Sequence, residues 1–182
     1  TVLYPPLRYR PQVIRRKLQP LCTALDVTYD PAEDEARAQQ ALRHAKALLG
    51  DTEISIDYTA TPAPMSLARC LIEHGLRVSR IYADSIAADD LDDFRWLQEN
   101  APDLSLYATV EVKLRVLPRR TERPMLAIGQ KAAYFTGTRH FVNIVEGGGL
   151  YGFDGICRLR ARIDDAVLTA PDPRHSIQQK GL

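Results

Sequence analysis

The most distinctive spacing in this sequence is a cluster of glycines, EGGGLYGFDG, between an apolar run and a segment with helical periodicity. A loop that joins the carboxyl end of a strand to the start of a helix presents unpaired backbone N–H groups at the positive end of the helix dipole. Such a loop can hold an anion or an electron-rich cluster, and it equally suits a sharp bend with positive φ angles that binds nothing. The candidate cofactor-binding residues in it are Gly147, Gly148, Gly149, Tyr151 and Gly152.

Three of these glycines also match G-x-G-x-x-G, the dinucleotide fingerprint. In a dinucleotide-binding domain that motif follows the first strand, and an acidic residue comes about 20 positions later. Here the motif follows the last apolar run, and the loop after the first apolar run reads TATPAP. The position argues against an NAD or FAD domain, and the sequence contains no Walker motif for nucleotide hydrolysis.

A further candidate cofactor-binding residue is Lys131, in the turn G-Q-K that follows another apolar run. A cation at the carboxyl end of a strand can bind a carboxylate or stabilise the charge of a reduced cofactor, although an exposed lysine in a first helical turn gives the same pattern. No catalytic residue is assigned, because the sequence has no G-x-S-x-G. The three cysteines, Cys22, Cys70 and Cys157, lack metal-ligand spacing, so no metal site is predicted.

The elements that position these residues alternate between strands and helices after two N-terminal helices. The first helix is predicted over residues 12–25 and disturbed at Pro20; the second covers residues 31–49, with Asp30 and Glu33 as a capping box. The five predicted strands are EISIDY, LRVSRIYAD, LSLYATV, PMLAIG and HFVNIV. This alternation predicts an α/β fold with a Rossmann-like, doubly wound, mostly parallel sheet, whose ligands bind beyond the carboxyl ends of the strands.

The composition, 45% hydrophobic and 26% charged, is typical of globular proteins, and the net charge of +1 provides no field to attract nucleic acid or an anionic membrane. No apolar stretch approaches the ~20 residues that cross a bilayer, and no signal peptide is present, so we expect a cytoplasmic protein. The predicted divisions are N-terminal helices (1–50), a Rossmann-like domain (51–170) and a loosely ordered tail (171–182). The first residue, Thr1, suggests a piece of a longer polypeptide.

The segment PMLAIGQKAAYFTGTRHFVNIVEGGGLYGFDGICRLRARIDDA resembles the last segment of nitrogenase component 1 subunits. That family includes the molybdenum-iron protein, its cofactor-assembly scaffold and the dark-operative reductases of chlorophyll synthesis. Its pattern is a strand, a G-x-K turn, a helix, a strand and a loop that ends in H/Y-G-Y/F-D/E-G, which Gly129, Lys131 and residues 151–155 match here. The likeness covers residues 51–166, since EISIDYTATPAPMSLARCLIEHGLRVSRIYAD looks like the start of the same domain.

The resemblance implies that the chain is the carboxyl-terminal third domain of an oxidoreductase subunit. The whole protein would pair with a homologous subunit, receive electrons from an ATP-hydrolysing iron-sulfur reductase, and carry an iron-sulfur or related metal cluster. Lys131 matches a lysine that helps hold the organic acid of the cofactor, whereas Val142 stands where the catalytic subunit has a metal-ligating histidine. This chain alone is therefore expected to bind no cofactor and to be inactive.

The resemblance leads us to expect a domain that lines part of a metal-cofactor or substrate cavity and helps to form a subunit interface. Two alternatives remain open. The first is a scaffold that holds a cofactor precursor without turnover, and the second is a stand-alone Rossmann-like binder of small molecules.

Overall fold

A five-stranded parallel sheet forms the centre of the computed structural model, which describes residues 9–116, 121–145 and 147–169. Its order is β3-β2-β1-β4-β5, and each neighbouring pair is parallel. This topology confirms the predicted Rossmann-like α/β fold. The strands are β1 (Glu53–Asp57), β2 (Arg77–Ala83), β3 (Ser105–Ala108), β4 (Met125–Ile128) and β5 (His140–Val142).

The described residues form six α-helices, two before the first strand, three between the strands and one after the last. They are α1 (Pro11–Ala24), α2 (Ala32–Leu49), α3 (Pro64–Glu73), α4 (Leu91–Asn100), α5 (Gln130–Thr136) and α6 (Gly152–Thr169). Short 3-10 helices occupy Ala88–Asp90 and Val112–Arg115. The sequence pattern of EVKLRV is compatible with a short helix and with an extended edge strand. In the structure this segment contains the second 3-10 helix.

The two N-terminal helices form where the sequence predicts them, with differences at their ends. Helix α1 continues through Pro20, which is exposed, so the missing N–H costs one backbone hydrogen bond without ending the helix. The predicted capping box of α2 is wrong: the cap position is Pro31, and the Asp30 carboxylate instead accepts the N–H of Ala32 at 3.0 Å. The sequence predicts a left-handed stop at Gly50; Gly50 does end α2 with a positive φ of 53°, but its ψ of −117° lies outside the left-handed helical region.

Side chains alternate between the two faces of the sheet. Ile54 and Ile56 of β1 belong to the larger core cluster, which also contains residues of α2, α3 and α6. The other face carries a smaller cluster in which Ala127 and Phe141 pack with the alanines of α5. Helices therefore cover both faces of the sheet. Because side chains alternate along a strand, Asp57 shares the face of Ser55, opposite to the isoleucines, and lies on the α5 side.

The winding of the chain reverses beside β1. From β1 the chain runs outward through β2 to β3, and then returns to β4 on the other side of β1. The loops after β1 and β4 therefore diverge at the switch point where doubly wound sheets bind ligands. No helix of the described residues is long and apolar enough to span a membrane, and the tail predicted at 171–182 lies outside the described residues.

Candidate functional site

The carboxyl ends of β1 and β4 are joined by the side chain of Asp57, the last residue of β1. Asp57 is fully buried, and its Oδ1 accepts the N–H groups of Thr59 at 2.7 Å and Ala60 at 3.1 Å, as well as the Thr59 hydroxyl. Its Oδ2 accepts the N–H of Ala132, in the first turn of α5, at 2.6 Å. Burial raises the pKa of the Asp57 carboxyl, and these hydrogen bonds act in the opposite direction.

Gly129, between β4 and α5, lies directly against this carboxyl group. Its φ of 108° is one that side chains rarely tolerate, and a Cβ there would lie 2.3 Å from Asp57 Oδ2. The glycine therefore allows the carboxylate to reach the start of α5. The Asp57 carboxyl group therefore occupies the position at the first turn of α5 that an anion from solution could otherwise take.

Lys131, one of the predicted site residues, lies half-buried on the first turn of α5. Its ammonium donates a hydrogen bond to the Tyr58 hydroxyl and lies 4.3 Å from the centroid of the Tyr58 ring. Tyr58 follows Asp57 directly and donates its backbone N–H to Tyr82 O at 2.9 Å. The sequence does not single out Tyr58, since its contact with Lys131 joins residues 73 positions apart.

The glycine loop forms a tight turn with positive φ angles. Gly147, Gly148 and Gly149 have φ values of 78°, 50° and 73°, and Gly152, at the start of α6, has 66°. The N–H of Gly148 donates to Val145 O at 3.0 Å, and Gly147 O accepts the N–H of Leu150 at 2.7 Å. The bend predicted from the glycines is confirmed, whereas Glu146, which precedes them, lies outside the described residues.

The glycines of the loop differ in their surroundings. Gly147 is buried, and a Cβ there would lie 2.6 Å from the Tyr151 hydroxyl, so Tyr151 packs over the inner side of the loop. Gly148 and Gly149 are exposed, and a Cβ at Gly149 would have no neighbour within 4 Å. The last part of the loop therefore carries no side chains of its own, and Arg158 Nη2 donates a hydrogen bond to Gly149 O at 2.8 Å.

A further glycine fixes the start of α6 against the loop. At Gly155, a Cβ would lie 2.3 Å from the backbone carbonyl carbon of Leu150, too close for any side chain. Its N–H donates to Tyr151 O at 3.0 Å, which begins the helical hydrogen bonds of α6. The motif YGFDG thus contains one glycine for a positive φ and one for close packing.

The loop after β1 connects the two predicted parts of the site. Tyr58, at its start, contacts Lys131, and Ala60 O accepts the N–H of Gly147 at 2.7 Å. The structure therefore brings Lys131 and the glycine loop to the two ends of one segment, residues 58–60. The sequence predicts that both lie beyond the carboxyl ends of the strands, but it does not indicate what joins them.

The start of α3, which the same loop enters, is also filled by a carboxylate. The buried Asp90 accepts the N–H groups of Met65 at 2.9 Å and Ser66 at 3.1 Å. In a dinucleotide-binding domain the pyrophosphate lies at this helix N-terminus. An internal anion here is consistent with the absence of a dinucleotide motif in the first loop.

The described residues contain no group of three or more His, Cys, Asp and Glu side chains that could hold a metal ion. Val142, where the resemblance would place a ligating histidine, is a buried residue of β5. His140 Nδ1 lies 3.1 Å from Ala166 O, so this ring nitrogen is engaged with α6.

Comparison with known proteins shows a similar fold at low sequence identity. The solved structure "Nitrogenase Cp1 at pH 6.5" superposes with a TM-score of 0.60 and 14% identity over 88% of this chain. The chain spans 38% of that protein's length. No protein family and no curated protein sequence matches this sequence. The likeness shows that the chain has a nitrogenase-like α/β fold.

Proposed function

We propose that this chain is a nitrogenase component 1-like domain whose carboxyl sheet edge lines a metal-cofactor or substrate cavity in an oxidoreductase subunit. The observation that carries the proposal is the arrangement around residues 58–60. One short segment holds the Lys131 ammonium at one end and the turn of the glycine loop at the other. The fold shared with a nitrogenase structure supports the same assignment.

The residues at this edge fit the wall of a cofactor cavity and not its metal ligands. Lys131 takes part in none of the ion pairs formed among the described residues, so its charge is available to an acidic group of a bound cofactor. Gly148 and Gly149 allow a bulky group to approach the backbone closely, because neither carries a side chain. When bound, the cluster would supply the electrons for substrate reduction.

The contribution of this chain would then be shape and electrostatics. Asp57 and Asp90 occupy the first turns of α5 and α3, so they fix the two loops that frame the edge. Lys131 would attract and orient the acidic part of the cofactor, and the turn at Gly147–Gly149 would set how closely the cofactor approaches α6. By the same proposal, the partners are a homologous subunit and an ATP-hydrolysing iron-sulfur reductase.

The experiment that tests the proposal uses the polypeptide that contains this chain, purified under exclusion of oxygen together with its homologous subunit and reductase. We expect iron-containing protein that reduces a substrate only in the presence of both ATP and the reductase. Iron-containing protein that transfers its cluster to an acceptor protein without any turnover would identify the scaffold alternative instead. Metal-free protein under all conditions would contradict the proposal.

The stand-alone nucleotide binder is disfavoured by the geometry at α3. A phosphate at the first turn of α3 would have to displace the buried Asp90, which already accepts two N–H groups there. Calorimetric titration of the 182-residue chain with NAD and with ATP tests this alternative. Saturable binding of either nucleotide would favour it over our proposal.

A further inference from the structure

Tyr58 and Lys131 form a pair in which a half-buried lysine contacts a tyrosine and no carboxylate. Lys131 is half-buried, and no carboxylate of the described residues pairs with it. Its ammonium instead contacts the hydroxyl and the ring of Tyr58. The ammonium therefore lies beside the hydroxyl end of the Tyr58 ring, with no carboxylate of the described residues opposing it.

Both members of the pair are fixed by the same buried carboxylate. Asp57 precedes Tyr58 in the chain, and it accepts the N–H of Ala132, which follows Lys131. The backbone of Tyr58 is also tied to β2 through its N–H. The two side chains therefore extend from anchored backbone, so the backbone needs no reordering when a ligand binds.

The hydrogen bond between them leaves donors available on both side chains. The Tyr58 oxygen accepts from Lys131, and no other hydrogen bond of this hydroxyl forms among the described residues. The phenol O–H and the remaining N–H bonds of the ammonium are therefore adjacent donors that form no other hydrogen bond among the described residues. Two adjacent donors, one of them charged, match the oxygens of a carboxylate or a phosphate.

We propose that Tyr58 is the second donor of an oxyanion site with Lys131, and that it positions the Lys131 ammonium for this purpose. The inference rests on the proposed function of the carboxyl edge and adds a residue to it. The ligand is the acidic portion of a bound molecule, and carboxylate and phosphate share the chemistry that the pair recognises.

The test is a titration of the 182-residue chain with succinate and, separately, with inorganic phosphate, followed by NMR of lysine side chains labelled with 13C. We expect saturable shifts of the Lys131 signal with one of the two anions, and the anion that binds more tightly identifies the source. Tyr58→Phe should weaken binding about tenfold, the effect of one hydrogen bond to a charged group. Lys131→Met, which removes the reporting signal, is titrated with the same anions by calorimetry alongside the wild type, and it should show no binding.

The matched control is Tyr107→Phe, which removes a hydroxyl from another half-buried tyrosine on the same sheet and should bind like the wild type. Thermal unfolding of each variant shows whether it remains folded. If Tyr58→Phe binds as tightly as the wild type while Lys131→Met does not bind, the role of Tyr58 is overturned and the proposed function stands. If neither anion shifts the Lys131 signal, the oxyanion site itself is overturned, whereas absence of ATP-dependent reduction would overturn the proposed function alone.

Discussion

Two glycine turns at the carboxyl edge of the sheet, the turn at Gly129 and the turn at Gly147–Gly149, look alike in sequence and differ in what lies against them. Both follow a strand, precede a helix and use positive φ angles. A Cβ at Gly129 would collide with the Asp57 carboxyl, whereas a Cβ at Gly149 would meet nothing within 4 Å. The first turn is filled from inside the protein, whereas the exposed part of the second, at Gly149, leaves room for a side chain.

The difference shows that a helix N-terminus in this fold is not by itself a ligand site. Asp57 at α5 and Asp90 at α3 satisfy the same N–H groups that would otherwise bind an anion from solution. These carboxylates come from residues 75 and 24–25 positions away in the chain. At the glycine loop the N–H of Gly147 instead donates to a backbone carbonyl, so this turn is fixed without a carboxylate.

The largest effect is expected for Gly129→Ala. The new methyl group would overlap Asp57, and alanine is also strained at a φ of 108°, so we expect a loss of about 4 kcal/mol in the free energy of unfolding. Urea denaturation followed by circular dichroism measures it. A loss below about 1 kcal/mol would mean that Asp57 does not pack against this glycine.

A smaller effect, which depends on pH, is expected for Asp57→Asn. Asparagine accepts hydrogen bonds only with its side-chain oxygen, and its NH2 group would face the N–H of Ala132, so that two donors meet. We therefore expect a loss of about 2 kcal/mol in the free energy of unfolding at acid pH. Burial raises the pKa of Asp57 in the folded protein above that of an aspartate in the unfolded chain. The stabilisation by this group is therefore complete below about pH 4, the ordinary pKa of an aspartate, and it declines as the pH rises through the folded pKa.

Asparagine does not titrate, so the difference in unfolding free energy between the wild type and Asp57→Asn should shrink as the pH rises. Urea denaturation at several pH values from about 4 to about 8, a range that begins at the ordinary pKa of an aspartate and extends above it, measures this trend. A difference that grows with pH would show that the hydrogen bonds of Asp57 outweigh its burial.

The smallest effect on stability is expected for Gly149→Ala. Only the positive φ opposes alanine at this open position, so we expect a loss of about 1 kcal/mol. Gly75→Ala is the matched control, because Gly75 is exposed, has a similar φ of 78°, and its Cβ would meet only Lys46 Cε at 3.9 Å, but it lies after the end of α3. Unfolding free energies that differ by more than about 1 kcal/mol between the two variants would indicate a packing contact at Gly149.

The fold was predictable from the sequence because it depends on local patterns. The apolar runs separated by helical segments located all five strands, and the positions of Gly50 and Gly147–Gly149 indicated positive φ angles. The error at the start of α2 is also local: Asp30 bonds to Ala32, and Pro31 takes the cap position. Two neighbouring residues can compete for a cap, and the sequence does not show which one takes it.

Only part of the candidate site could be predicted, because its hydrogen bonds join residues that are far apart in the sequence. Lys131 and the glycine loop stand out by their place after strands, whereas nothing in the local sequence marks Asp57, Tyr58 or Asp90. Asp57 reads as the end of a strand and Asp90 as one acidic residue among several before α4. Their roles depend on the register of β1 beside β4 and on the packing of the α4 start against α3.

The most direct test of the central claim, that the open glycine turn faces a bound cofactor, is the metal content of the containing polypeptide with Gly149→Asn. Asparagine tolerates a positive φ, so folding should change by less than about 1 kcal/mol, while its side chain would block access to the backbone of the loop. Gly75→Asn, at an exposed glycine with a φ of 78°, is the matched control. We predict that Gly149→Asn lowers the iron bound per polypeptide by about fivefold or more, the equivalent of ~1 kcal/mol of binding, with Gly75→Asn unchanged. Equal, full metal content in both variants would contradict the account.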